Sequence, residues 1–219
     1  VEDFRGVRVI RLRTPRTKDM GYVRRTLGEL LMPFFMIRHL RASELLGPHF
    51  DGVVWYSPSI FLGPVVHWLK WKHRCPSYLI IRDIFPEWAA DMGLMGRGLP
   101  YQFFKWVASY QYAQPNVIGI QTPGNSAYFA VDKSGPRIEV LHNWLAYAPV
   151  SNCSIRIAQT TLAGRTVFVY AGNMGVAQGM DTLLNLATAL QDRRDVGFLF
   201  VGRGSEARRV REEAMARSL

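Results

Sequence analysis

Thr166-Val-Phe-Val-Tyr-Ala-Gly-Asn-Met-Gly175 leads into Asp181-Thr-Leu-Leu-Asn-Leu-Ala187, and Val196-Gly-Phe-Leu-Phe-Val-Gly-Arg-Gly204 leads into Ser205-Glu-Ala-Arg-Arg-Val210. Each is a β-branched and aromatic run that breaks at glycines before a helix-like pattern starts. The runs read as buried parallel strands, and a glycine turn between strand and helix lets the backbone approach a ligand. Backbone N–H groups at such helix starts bind anions, phosphate above all. The turns are neither the dinucleotide fingerprint nor the P-loop. Gly172-Asn-Met-Gly175 lacks the G-x-G-x-x-G spacing, and G-K-[ST] occurs nowhere in the chain.

Working outward, the first half alternates in the same way. Strand-like stretches lie at Val7 to Leu12, Gly52 to Tyr56, Tyr78 to Arg82, Asn116 to Gln121 and Arg137 to Leu141. Helix-like stretches lie near 24–46, 60–73, 86–91 and 99–113, with another starting near Pro123. Alternation predicts a parallel sheet covered by helices, a Rossmann-like α/β domain. From His142 to Gly164 periodicity is lost. The expected organisation is therefore a first domain over 1–142, a linker over 143–165 and the start of a second domain over 166–219. Two strand–helix units bury themselves poorly, so the chain is expected to stop inside its second domain.

Composition narrows the class. With 48% apolar residues in a chain of 219, a substantial core is available. Cys75 and Cys153 stand far apart with no ligand cluster around them, which suggests neither a disulfide framework nor a zinc site, and a reduced cytosolic compartment is the simpler reading. The first residues, Val1-Glu-Asp-Phe-Arg-Gly6, carry charges where a signal peptide needs an apolar core. Gly52 to Leu69 holds 18 residues without a formal charge, but Pro58 and Pro64 interrupt it, so a strand and turn are expected there in place of a membrane span. The net charge of +10 calls for an anionic partner: nucleic acid, a membrane surface or a phosphorylated small molecule. Residues 1–49 carry ten Arg or Lys against five Asp or Glu. Their segment Arg24 to Arg41 mixes arginines with a thick apolar face, fitting either a core helix with a basic edge or a helix lying on a membrane.

Several residues could carry chemistry. Asp83 follows the strand Tyr78 to Arg82, and the carboxyl edge of an open α/β sheet is where ligands bind. It also suits the N-cap of a helix starting at Pro86, and Glu87 suits the first turn for dipole reasons. Gln121-Thr-Pro-Gly124-Asn125 ends the next strand and has ordinary turn chemistry as its plain reading. His142 and Asn143 end the last strand of the first half. In the second half Gly172, Asn173, Met174 and Gly175 would aim N–H groups at a diphosphate, with Gln178 and Gly179 opening the next helix and Arg203 as the nearest cation.

Five ordered segments resemble the group 1 (family 4) retaining glycosyltransferases of GT-B type, in the branch similar to bacterial N-acetylfucosaminyltransferases of O-antigen and capsule assembly. They are Arg82-Asp-Ile-Phe-Pro-Glu-Trp-Ala, Ile118-Gly-Ile-Gln-Thr-Pro-Gly-Asn, Val140-Leu-His-Asn-Trp, Tyr170-Ala-Gly-Asn-Met-Gly-Val-Ala-Gln-Gly and Phe200-Val-Gly-Arg-Gly. The resemblance implies two Rossmann-like domains, both incomplete at the chain ends. It implies transfer of an N-acetylated hexosamine, with retention, from a UDP-linked donor to a lipid-linked or saccharide acceptor in lipopolysaccharide, O-antigen or capsule synthesis. The acceptor side would fall to the first domain, with Asp83 and Glu87 nearest the chemistry and Gln121, Gly124, Asn125 and Asn143 lining it. The donor would fall to Gly172, Asn173, Met174, Gly175, Gln178, Gly179 and Arg203. No metal or other cofactor is implied, and peripheral contact with the cytoplasmic face of the inner membrane is compatible. The chain departs from the pattern at Trp144, where relatives carry Pro or Gly, and at Gln178, where a Lys is expected. Two glutamates eight positions apart, carried later by relatives, fall outside these residues, so the chain reads as a central slice. A non-catalytic basic module for an anionic membrane or nucleic acid is the rival reading, and an epimerase or hydrolase of similar shape is a third. Against nucleic acid, the arginines are dispersed and no recognition signature appears.

Overall fold

Arg5 and Gly6 both take positive φ, and that two-residue turn folds the first strands back on themselves. In this computed structural model, which describes residues 2–17, 21–43, 47, 49–57, 59–129, 135–149 and 155–219, β1 (Glu2–Phe4) pairs antiparallel with β2 (Val7–Val9). The expected strand from Val7 to Leu12 is thus shorter and belongs to an exposed hairpin, not to the parallel sheet. Local closure wins because Asp3 accepts the Gly6 N–H at 3.0 Å and Arg11 pairs with Glu2 at 3.2 Å.

The long helix α1 (Tyr22–Arg41) follows, then β3 (Val53–Tyr56), α2 (Gly63–His73), β4 (Ser77–Ile80), α3 (Glu87–Asp91), α4 (Leu99–Tyr112), β5 (Val117–Ile120), α5 (Ser126–Phe129) and β6 (Arg137–Val140). The four strands β3 to β6 form one parallel sheet in sequence order, with Trp55 opposite Leu79 and Leu79 opposite Ile118. Leu79, Ile81, Ile118 and Ile120 are almost fully buried, packed with Phe61, Val66 and Ala108. Burial alternates along β3 and β4, with Trp55, Leu79 and Ile81 inward and Val54 and Tyr56 exposed, so these strands pack chiefly through one face. The uncharged stretch from Gly52 to Leu69 is a strand, a turn and the first half of α2, with Pro64 in the first helical turn; Pro58 lies outside the described residues. Among the described residues no helix is long and apolar enough to cross a membrane.

The contact pattern divides the chain into two units, Val1–Leu145 and Ala146–Leu219. In the second, β7 (Thr166–Asn173) runs parallel to β8 (Val196–Arg203), each followed by a helix, α6 (Met180–Ala189) and α7 (Ala207–Ala216). Their core is Met174, Met180, Leu184 and Val210. The later part of the expected linker is not featureless. It holds a 3-10 turn at Ile157–Gln159, and Leu162 covers Gly197 of β8 so closely that a Cβ there would lie 2.6 Å from its methyl. The chain is therefore a mixed α/β protein built on parallel sheets.

Candidate functional site

All four parallel strands of the first unit end at the same sheet edge, and each is followed by a polar residue. Ser57 follows β3, Arg82 and Asp83 follow β4, Gln121 follows β5, and His142 and Asn143 follow β6. Asp83 is exposed. Helix α3 begins at Glu87 with Pro86 as its N-cap and no side-chain cap, so the expectation that Asp83 caps this helix is corrected. The turn at Ile84 to Pro86 closes through backbone bonds, Trp88 N–H to Ile84 O at 3.1 Å and Ala90 N–H to Pro86 O at 3.1 Å, leaving the carboxylate with no hydrogen bond among the described residues. Gln121 and Asn143 come together, Gln121 Nε2 donating to Asn143 Oδ1 at 3.1 Å, while His142 Nδ1 donates to Gln121 O at 3.1 Å. His142 thus locks neighbouring strand ends. Gly124 and Asn125 sit in the 3-10 turn Pro123–Asn125, with Asn125 N–H bonded to Thr122 O. That is ordinary turn geometry.

Glu87 is not brought to Asp83 by any bond. It turns toward α4, where Lys105 Nζ pairs with Oε1 and the Tyr101 hydroxyl donates to the same oxygen at 3.3 Å. Lys105 also donates to Tyr128 OH at 3.0 Å and lies 4.5 Å from that ring's centroid. Glu87 Oε2 and the Tyr112 hydroxyl are buried without partners among the described residues. Burial first, and then the neighbouring Glu87 carboxylate, push Tyr128 well above the usual phenol range; burial, Tyr128 and Glu87 do the same for Tyr112. Sequence reading passed over Tyr101 and Lys105, although their i, i+4 spacing puts them on one face of α4. It also passed over Gln111, which is fully buried and bonded at both ends. Its Oε1 accepts the Leu62 and Gly63 N–H groups at 2.9 and 3.2 Å, and its Nε2 donates to Ser57 Oγ at 2.8 Å and Ser59 O at 3.1 Å. Its place three and four residues after Ala108 and Val107, on the buried face of α4, was the available signal.

In the second unit the two glycine turns meet each other. Gly172 pairs with Gly202 across the ladder, and a Cβ on Gly202 would lie 1.9 Å from Gly172 O. A Cβ on Gly204 would lie 2.3 Å from Met174 O. Strand-to-strand approach therefore accounts for these two glycines before any ligand does. Backbone bonds stitch the same place, Met174 N–H to Arg203 O at 2.8 Å and Glu206 N–H to Met174 O at 2.9 Å. Met174 points its side chain into the core, and Gln178, at the end of the 3-10 turn Val176–Gln178, reaches back. Its Oε1 accepts from Gly175 N–H at 3.0 Å and Asn173 Nδ2 at 3.1 Å. Two of the N–H groups expected to face a diphosphate, those of Met174 and Gly175, are thus taken internally. The N–H groups of Val176 and Ala177, and of Met180 and Asp181 after the left-handed Gly179, keep no acceptor among the described residues. Arg203 ends β8 opposite Asn173, exposed, its guanidinium in no ion pair among the described residues.

Among the described residues no three His, Cys, Asp or Glu side chains converge as metal ligands. Cys75 is a buried free thiol, and Cys153 lies outside the described residues. No family model matches the chain, and a search of curated proteins finds no match.

Proposed function

We propose that this chain carries the donor turn and part of the acceptor side of a retaining glycosyltransferase of the two-domain GT-B type, one that moves an N-acetylated hexosamine from a UDP-linked donor to a lipid-linked or saccharide acceptor in bacterial surface polysaccharide synthesis. The observation that carries it is the end of the β7–β8 ladder. Among the described residues the N–H groups of Val176 and Ala177 have no acceptor and lie next in the chain to a turn that is bonded to Arg203, whose guanidinium makes no ion pair among those residues. Such a group of fixed dipoles and a cation offsets charge building on a departing diphosphate while the sugar carbon becomes oxocarbenium-like. With Gln178 committed to closing the turn, Arg203 supplies the charge that a Lys at that position would have given. Asp83, exposed at the carboxyl end of β4, is the carboxylate offered to the attacking hydroxyl. Glu87, held by Lys105, serves to fix α3 behind it.

Calorimetric titration with UDP tests the reading. UDP should bind the unaltered chain saturably, and Arg203→Ala should weaken it by about tenfold, near 1.4 kcal/mol. Equal affinity in the variant removes Arg203 from the site, and no binding of UDP or of a UDP-N-acetylhexosamine to either removes the reading.

A further inference from the structure

Helix α4 carries two apolar rows. Val107, Ala108 and Tyr112 enter the core of the first unit, and one such row is all that a helix packed on a sheet requires. The second row, Leu99, Phe103, Trp106 and Tyr110, faces outward, its members 87%, 42%, 69% and 39% exposed. Its intervals are four, three and four, so the four side chains share one side of the helix. No charge interrupts it. Lys105 is the single charged residue of α4, and it turns away to pair with Glu87. Gln102 and Ser109, exposed beside the row, are neutral. The row is also fixed from beneath at its last member: Tyr110 packs so closely on α2 that a Cβ on Gly63 would lie 3.0 Å from its ring, and Gln114 Nε2 donates to Tyr110 O at 2.9 Å.

We propose that this row is the seam of a twofold-symmetric dimer, in which α4 packs against α4 of a second copy running antiparallel. Spacing selects the occupant first. Intervals of four, three and four read the same in both directions, so an antiparallel copy falls into register, Leu99 facing Tyr110 and Phe103 facing Trp106 on either side of the axis, as a self-complementary interface needs. Charge selects it second. The chain carries +10, so two copies repel wherever their arginines meet, whereas across this row no charge meets another. An acidic partner or an acidic lipid finds nothing here to pair with. Area is the third argument. Aromatic side chains offer about 150–250 Å² each, so at these exposures the row presents roughly 500 Å², and a symmetric pair buries about 1,000 Å², the lower bound for a specific interface. Tryptophan, tyrosine and phenylalanine are also the residues that protein interfaces favour. The inference does not rest on the glycosyl-transfer reading.

Sedimentation velocity on the whole chain, from about 1 to about 500 µM, decides it. The unaltered chain should pass from monomer to dimer across that range. Raising NaCl from about 0.05 to about 0.5 M should tighten the dimer, because salt screens the repulsion between copies and leaves an apolar seam intact. Trp106→Glu should weaken association at least about tenfold while the circular dichroism spectrum stays unchanged, since the side chain is on the surface. Phe103→Lys should do the same. Combining the two checks the register, because an antiparallel pair sets each new carboxylate opposite a new ammonium, so the double variant should dimerise better than either single variant. A chain that is monomeric at every concentration, a dimer that Trp106→Glu leaves untouched, or a double variant no better than the single ones overturns the proposal. So does a monomer that phosphatidylcholine vesicles bring down and that Trp106→Glu releases, since the occupant is then lipid.

Discussion

The two units use one local grammar, strand then turn then helix, and stabilise it in different ways. In the first, four strands bring Leu79, Ile81, Ile118 and Ile120 together, so the sheet is held by apolar side chains packed to near-complete burial. In the second, two strands cannot do this: Phe168 and Val169 of β7 and Val201 of β8 stay exposed, and the core cluster among the described residues is Met174, Met180, Leu184 and Val210. What holds it is close backbone approach at Gly172 and Gly202, and a polar clasp between its helices. Arg209 of α7 donates to Asp181 of α6 at 2.7 Å and to Glu206 and Glu213 at 2.7 Å, while Arg217 reaches Asn185 at 2.8 Å. Where a sheet is wide enough to be covered, packing dominates. Where it is not, main-chain geometry becomes the sensitive element.

The difference is sharpest at Gly202. Alanine there sets a methyl 1.9 Å from a carbonyl oxygen that belongs to the partner strand's backbone, which no side-chain rotation relieves. Gly202→Ala should destabilise the second unit by about 4 kcal/mol or more. The readouts separate the units cleanly, because all six tryptophans lie at or before Trp144. Circular dichroism should lose part of its helix and strand signal while the tryptophan transition in urea stays in place. A variant that keeps its full dichroism, or one whose tryptophan midpoint falls equally, would erase the contrast.

Gln111→Leu attacks the first unit from the opposite side, keeping volume and removing polarity. Leu62 and Gly63 N–H groups, and Ser57 Oγ with them, lose their partner in a place water does not reach. About 1–3 kcal/mol for each buried group left unsatisfied predicts a loss of at least about 3 kcal/mol. Here the tryptophan midpoint should move. An unchanged midpoint would mean that packing alone holds this unit and that its buried amide is incidental.

These two residues also mark how far the sequence could be read. Short apolar or alternating runs bounded by turn residues were enough to place β3 to β8 and the helices after β7 and β8, because strand periodicity is a local signal. The hairpin at Val7 was misread as a sheet strand because its partner, Glu2–Phe4, is three residues long and polar, with no pattern beyond the turn. At the candidate site the residue types and their strand-end positions were legible. Their commitments were not: that Gln178 closes its own turn, that Glu87 answers to Lys105, and that Gln111 caps a helix 48 residues away are tertiary facts with no local trace. Asp83 was weighed as a cap because Asp before Pro suits one, yet backbone bonds close that turn without it.

The smallest expected effect separates the units by pH. Tyr78, Tyr112 and Tyr128 all lie in the first unit, and all hold their protons beyond the ordinary phenol pKa near 10. Tyr78, raised to about 12 by burial and by its hydroxyl's 2.8 Å bond to Glu139, is the best placed to show it. Above about pH 10 the unfolded chain has lost these protons while the folded chain keeps them, so unfolding releases protons and stability falls as pH rises. The contribution is whole below pH 10 and is lost through about pH 12 for Tyr78, higher for the other two. At a partly exposed group such a shift is screened by solvent and amounts to about 1 kcal/mol. The tryptophan-monitored urea midpoint should therefore be lower at about pH 11 than at about pH 9, and Tyr78→Phe should flatten part of that slope. A midpoint that holds steady across this interval would show that the phenols are as open to water as those of an unfolded chain, and with that the buried packing that sets the first unit apart would have to be argued again from its aliphatic strands alone.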